Sequence, residues 1–240
     1  VVDNFSTDST RSIALEFADV VLSEGPERSR QRNVGAAASE TSIVGFIDSD
    51  MILAPQIVGE VKDLISNGAV SVVIPELTVG EGYWAQVSAF ERSFYIDNES
   101  IEAPRFFLKS IYQEVGGFDE AMTGGEDWDL ALRTVTLGPR ARTESLITHD
   151  EGRVKFFSLC QKKAYYAPGL VLFARKHGLG ALANKSKRPW LKNPKVLLSP
   201  VGIGLVLLKT GEALSMVVGI VKFRLGLRIK LPSRIQKNYR

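Results

Sequence analysis

Cysteine is almost missing: Cys160 stands alone in 240 residues. A single thiol excludes an internal disulfide framework, and with no CxxC pair and no Cys/His ligand spacing it excludes a structural zinc site. A reducing, cytosolic setting fits that usage. No segment repeats at a fixed period, which removes solenoids and propellers. No apolar run reaches the ~18 to 20 residues of a spanning helix. The chain opens Val1-Val2-Asp3, with neither an initiator Met nor the basic and apolar regions of a secretory signal, so a start inside a longer protein is expected. Net charge is only +3, and the hydrophobic share of 45% and charged share of 24% exclude a disordered or fibrous chain. The length suits one α/β domain with an appendage.

The small net charge hides an asymmetry. Residues 185–240 hold 8 Lys and 5 Arg against Glu212 alone, a charge of +12, so residues 1–184 carry −9. Within that tail, residues 196–208 and 213–221 are uncharged, separated by Lys209 and Glu212 and flanked by Lys185, Lys187, Arg188, Lys192 and Lys195 before and Lys222, Arg224, Arg228 and Lys230 after. Cationic flanks around apolar helices fit peripheral contact with an anionic membrane through residues 185–240, and equally fit a helical pair packed on the preceding domain. The interleaving of cations with aliphatic runs, and the lack of aromatics for stacking, argue against nucleic acid. The expected division is a catalytic domain over residues 1–180 and a helical basic and apolar tail over 181–240.

The body reads as strands alternating with helices. Val1-Val2 ends a strand, the Ser6-Thr7-Asp8-Ser9-Thr10 segment offers caps for a helix to about Phe17, and residues 19–22 form a short strand. After Gly25-Pro26 a helix covers 27–39, and the β-branched run 43–47 is expected to be a central strand buried on both faces. A helix follows Pro55 to Asn67-Gly68, then a strand at 70–74. Residues 76–110 read poorly, with a helix at 84–95 and a short strand at 106–108. A helix is expected over 126–136, and another over 156–177 with a break at Pro168-Gly169. Such alternation implies a doubly wound, mostly parallel sheet flanked by helices.

Asp48 and Asp50 close the 43–47 strand, where open α/β sheets bind ligands, and two carboxylates there suit Mg²⁺ or Mn²⁺ on a diphosphate. A bare D-x-D string is also an ordinary turn. Glu126 and Asp127 fall in a first helical turn, where the positive end of the helix dipole keeps a carboxylate ionised and able to act as a base, although acids are common there for stability alone. The neighbouring Gly116-Gly117 and Gly124-Gly125 pairs let backbone approach a ligand. Arg32 suits either a phosphate or an acidic neighbour, and Asn33 suits a loop clamp. Arg133 reads as structural.

Taken in order, Val2-Asp3-Asn4-Phe5-Ser6-Thr7-Asp8, Arg32-Asn33-Val34-Gly35-Ala36, Asp48-Ser49-Asp50, Gly116-Gly117-Phe118-Asp119-Glu120 and Gly125-Glu126-Asp127-Trp128-Asp129-Leu130 resemble glycosyltransferase family 2, over residues 1 to about 150. The resemblance implies a GT-A fold of Rossmann-like type and a nucleotide-diphosphate sugar as donor. It implies Asp127 as the general base, and Asp50 as principal metal ligand with His149, which is otherwise a lone structural histidine. Asp3, Asn4, Arg32, Asn33, Asp48, Gly117 and Glu126 are implied as the nucleotide-sugar site. The family's opening strand is absent.

The expected function is therefore an inverting, metal-dependent transfer of sugar to an acceptor hydroxyl, on a glycan or a lipid-linked acceptor, at the cytoplasmic face of a membrane. Two alternatives remain at this level: a sugar-phosphate nucleotidyltransferase of similar fold, and a non-enzymatic sugar-nucleotide-binding membrane module. An intact base and metal triplet weigh against the second. The donor sugar, its base and the acceptor are not readable from residue types.

Overall fold

In the computed structural model, which describes residues 1–193, 196, 198–227 and 229, strands and helices alternate from the start. β1 (Val2–Asp3) pairs in parallel with β2 (Leu22–Ser23) across the crossover helix α1 (Thr10–Phe17), and α2 (Arg28–Ala38) packs against β1. Four strands then form one sheet in the order β3-β7-β5-β8: β3 (Ile43–Gly45), β7 (Phe106–Leu108), β5 (Ser71–Val73) and β8 (Arg140–Arg142). A second sheet has the order β4-β9-β6: β4 (Met51–Leu53), β9 (Ile147–Arg153) and β6 (Glu76–Glu81).

The α/β architecture with flanking helices is the expected one, but the sheets are mixed. β1/β2, β5/β8 and β6/β9 are parallel, whereas β3/β7, β5/β7 and β4/β9 are antiparallel. The reversal comes from the long connection through α4 (Tyr83–Ser93), which brings β7 in between β3 and β5 in the opposite sense.

Residues 43–47 are not buried on both faces. Val44 and Phe46 face the core, while Ile47 is 38% exposed, and among the described residues β3 pairs only with β7. Phe46 meets Phe107, Tyr112 and Phe118 with ring centroids 6.1, 5.2 and 5.1 Å away, in the tilted and edge-on arrangements aromatic quadrupoles favour. Ala36 of α2, Tyr112 of α5 (Lys109–Glu114) and Leu130 of α6 (Glu126–Thr134) complete this core. On the other side, Ile57 and Val61 of α3 (Ile57–Ser66) pack on Val72, Ile74 and Ile147, and each such burial contributes about 1.5–3 kcal/mol.

The C-terminal third is two long helices, α7 (Phe156–Lys185) and α8 (Pro200–Arg224), linked past a 3₁₀ turn at Pro189–Lys192. The expected break at Pro168-Gly169 does not occur; the backbone leaves helical geometry at Gly178 instead, with φ 87°. Pro168 has no N–H to offer the Ala164 carbonyl, and α8 packs against that same carbonyl: a Cβ added to Gly219 would lie 2.2 Å from Ala164 O. The expected domain boundary at 180/181 falls inside α7, just past this kink.

From Pro200 on, the two apolar stretches of the tail belong to one helix of 25 residues, long and apolar enough by length and composition to cross a membrane. Lys209 and Glu212 do not interrupt it, because Lys209 Nζ lies 2.6 Å from Glu212 Oε2 and 2.5 Å from Glu91 Oε2 on α4. One side of α8 packs on α4 and α7 through Leu205 and Leu208 against Val87, Cys160 and Trp190. Lys185, expected as a flanking surface cation, is buried, and burial with the charge of Arg140 pushes its pKa down to about 8. Lys195, Arg228 and Lys230 lie outside the described residues.

Candidate active site

The site is built at strand and helix ends by side chains of alternating charge. Arg32, on α2 and nearly buried, reaches Asp127 Oδ1 with Nη1 and Asp48 Oδ1 with Nη2, both at 3.0 Å, while its guanidinium lies 5.0 Å over the Phe118 ring. Asp48 Oδ2 lies 3.7 Å from Arg105 Nη1, and Arg105 donates Nε and Nη2 to Glu76 Oε1. Glu76 Oε2 stands 3.6 Å from His149 Nδ1, and His149 Nε2 stands 3.3 Å from Asp50 Oδ2. A chain of opposite charges thus runs Asp127, Arg32, Asp48, Arg105, Glu76, and the His149 ring continues it from Glu76 to Asp50.

Backbone register explains the last links. The antiparallel β4/β9 pairing puts Met51 opposite His149, and the parallel β6/β9 pairing puts Thr78 opposite the same residue. His149 therefore sits on the central strand, between the Asp50 turn and the start of β6. Burial opposes its protonation, yet contact with Asp50 and the nearby Glu76 carboxylate outweighs burial and raises its pKa to about 9. Its Nδ1 is buried without a hydrogen-bond partner, since Glu76 is beyond hydrogen-bond reach. Burial likewise acts against ionised Asp48, but Arg32 and Arg105 hold its pKa below the usual carboxylate value. Asp50 is held down in the same way by His149.

At the other end, Gly125 caps α6 in the left-handed region with φ 78°, which turns Glu126 inward and Asp127 outward. Glu126 is buried beneath Arg28 Nη2, 2.8 Å away, and burial together with the Asp127 charge raises its pKa despite Arg28 and Arg32. Asp127 keeps 45% of its side chain exposed beside Arg32, so it is the accessible carboxylate of the pair.

The remaining expected residues divide by what they touch. Asn33 has its amide fully engaged: Nδ2 donates to Phe118 O and Glu120 Oε1, and Oδ1 accepts from Phe118 N and Tyr112 OH. It clamps the 116–120 loop, whose Gly117, at φ 67°, leaves no room for a Cβ against Asn33 Oδ1. Asp3 is buried and accepts from Ser6 N at 2.9 Å, and the Asn4 amide presses on Gly25. Neither joins the charge chain. Arg133 is structural as expected, donating to Val115 O, Gly117 O and Asp129. Arg28, Glu76, Arg105 and Asp129 are additions to the sequence reading. Only Asp129 stood within a quoted motif, and the others lie in stretches without a local pattern.

Among the described residues no group of three or more His, Cys, Asp or Glu side chains is arranged to hold a metal alone. Asp50 Oδ2 and His149 Nε2 nevertheless face each other as an oxygen and a nitrogen donor, and Asp50 remains 40% exposed. Mg²⁺ and Mn²⁺ commonly take one or two protein ligands and complete their shells with substrate phosphate and water, so this pair fits such an ion.

The fold is of the GT-A type. Residues 1–117, just under half of the chain, match the family model of Glycosyl transferase family 2. The chain is 31% identical over 174 residues to the pre-mycofactocin glycosyltransferase of Mycobacterium tuberculosis, a match covering 65% of this chain and 36% of the relative's length. Among solved structures it is similar to the mannosyltransferase PcManGT from Pyrobaculum calidifontis in complex with GDP-Man and Mn²⁺, with TM-score 0.57, 18% identity, and 92% of this chain and 76% of that one covered. It is also similar to S. aureus TarS 1-349, with TM-score 0.54, 14% identity, and 96% and 82% covered. At these identities the structures speak for the fold.

Proposed function

We propose that this chain forms the donor site and catalytic base of a glycosyltransferase that moves sugar from a nucleoside-diphosphate sugar to an acceptor hydroxyl with inversion. The observation that carries the reading is the alternating charge chain, which sets an exposed carboxylate, Asp127, at one end and a metal-type donor pair, Asp50 and His149, at the other. The name of the mycobacterial relative and the GDP-Man and Mn²⁺ of the archaeal structure agree with it.

Asp127 accepts the proton of the acceptor hydroxyl as that oxygen bonds to the anomeric carbon. The bond from that carbon to the diphosphate oxygen breaks, and its electron pair leaves with the nucleoside diphosphate. Attack opposite the leaving group inverts the centre, with no covalent enzyme intermediate. A divalent cation held by Asp50 and His149 would supply neutralisation of the departing diphosphate. Arg32 orients Asp127 through the 3.0 Å contact of its Nη1 to Asp127 Oδ1. Asp3 and Asn4 belong to the nucleoside end, and the acceptor is a glycan or a lipid-linked compound presented at the cytoplasmic face of a membrane.

Release of nucleoside diphosphate, measured across a donor panel with Mn²⁺, Mg²⁺ or chelator, tests the reading. Turnover stops with chelator and in Asp127→Asn, while that variant retains donor affinity by calorimetry. Metal-independent turnover, or equal loss of donor binding in Asp127→Asn, overturns the assignment.

A further inference from the structure

We infer that α8 docks the chain on an anionic lipid surface, lying in the plane of the interface with one apolar face inserted. This deepens the proposed function, on which its meaning for the acceptor rests. Ile203, Leu207, Leu214, Val217, Val218 and Val221 are each 49–66% exposed. At ~3.6 residues per turn they fall within an arc of about 100°, forming one stripe along the helix. The residues buried against α4 and α7, namely Gly204, Leu205, Leu208, Glu212 and Gly219, occupy the opposite side.

That opposite face decides between lying on a bilayer and crossing it. A spanning orientation would strip α8 from α4 and carry Lys209, with its ion pairs to Glu91 and Glu212, into hydrocarbon. Lying in the interface keeps those pairs in protein and puts only the stripe into acyl chains. The surrounding charge selects the occupant. Lys187, Lys192, Lys222 and Arg224 are exposed, whereas the region's one acid, Glu212, is buried. An apolar stripe flanked solely by cations complements anionic headgroups, whereas a second copy would bring like charges together.

The test is flotation of the full chain with phosphatidylcholine vesicles, with and without phosphatidylglycerol. Two variants are compared: Leu207→Gln/Leu214→Gln/Val218→Gln, and Lys222→Glu/Arg224→Glu, with folding checked by circular dichroism. The wild type is expected to float with the anionic vesicles, to lose binding on the order of tenfold or more at high salt, and to be released by alkaline carbonate. Both variants are expected to remain at the bottom. Failure of the wild type to float, or unchanged flotation of the stripe variant, overturns the inference. Carbonate resistance would establish a spanning helix, and a vesicle-independent dimer lost in the stripe variant would assign the face to a second copy; either result also overturns it. Donor turnover by the same samples is read separately, so a failed membrane test and a failed catalytic assignment are distinguishable.

Discussion

Asp129→Asn is expected to destabilise the chain by about 3 kcal/mol, more than most substitutions at the site. The Asp129 carboxylate is fully buried, with Arg133 Nε and Nη2 at 2.9 and 2.6 Å, His177 Nε2 at 2.7 Å and Lys176 Nζ at 2.8 Å. Removing one partner of a buried charge pair typically costs about 3–5 kcal/mol. Here the lower end applies, because Lys176 is 39% exposed and keeps Asp119 at 3.0 Å. Arg133 has no such escape, being held by the Val115 and Gly117 carbonyls. For a chain of this size each kcal/mol moves Tm by ~2–4 °C, so a fall of about 6–12 °C follows. The pH dependence adds a stricter check. Burial acts against the ionised form, but Arg133, Lys176 and His177 hold the folded pKa below the usual value, so this stability is full above the unfolded pKa of ~3.9 and is lost as pH falls through the folded value. Denaturant melts of both proteins should therefore show a gap that is wide at neutral pH and narrows below about pH 4. A gap under about 1 kcal/mol at neutral pH, or one that stays constant into acid, refutes the reasoning.

Arg32→Lys is expected to weaken donor binding about tenfold and cost about 1–2 kcal/mol, because one ammonium cannot bridge Asp48 and Asp127 as the planar fork does; unchanged calorimetric affinity and Tm would count against the bridge. Gly169→Ala places a Cβ 2.3 Å from the backbone N and O of Gly124, and this overpacking is expected to cost about 1–3 kcal/mol. It also shifts the loop ahead of Asp127, so kcat for donor consumption should fall with Tm, and a variant with both unchanged would show the loop is not set by α7.

How far the sequence was legible follows from where apolar periodicity survives. Strands 70–74 and 106–108, and the helices over 27–39, 84–95 and 126–136, are found within a few residues of their expected places, because one face of each meets the core. β6, with sequence Glu-Leu-Thr-Val-Gly-Glu, and β9, with Ile-Thr-His-Asp-Glu-Gly-Arg, were unread for the opposite reason. In β6 the alternation is inverted, with Leu77 and Val79 exposed and Thr78 buried, and in β9 the ionisable His149, Asp150 and Glu151 replace it. β4 and β8 also escaped the pattern, but β6 and β9 are the two that carry Glu76 and His149 into the site.

The charge chain itself has no local signature. Arg32 and Asp127 lie 95 residues apart, and Arg28 and Glu126 lie 98 apart, so only the fold joins them. Asp48-Ser49-Asp50 was legible as a motif, yet its two carboxylates part company, Asp48 towards Arg32 and Arg105 and Asp50 towards His149. A D-x-D string is thus one local piece of two different contacts. The same reasoning explains α8, where Lys209 and Glu212 looked like a boundary between apolar stretches. Glu91, more than a hundred residues earlier, makes Lys209 part of a buried ion pair and lets the helix run through. Its neighbour Arg92 approaches Glu76 Oε2 at 3.6 Å, so adjacent residues of α4 touch the tail on one side and the charge chain on the other. α4 therefore links, through two consecutive side chains, the helix inferred to meet lipid and the residues proposed to handle the donor.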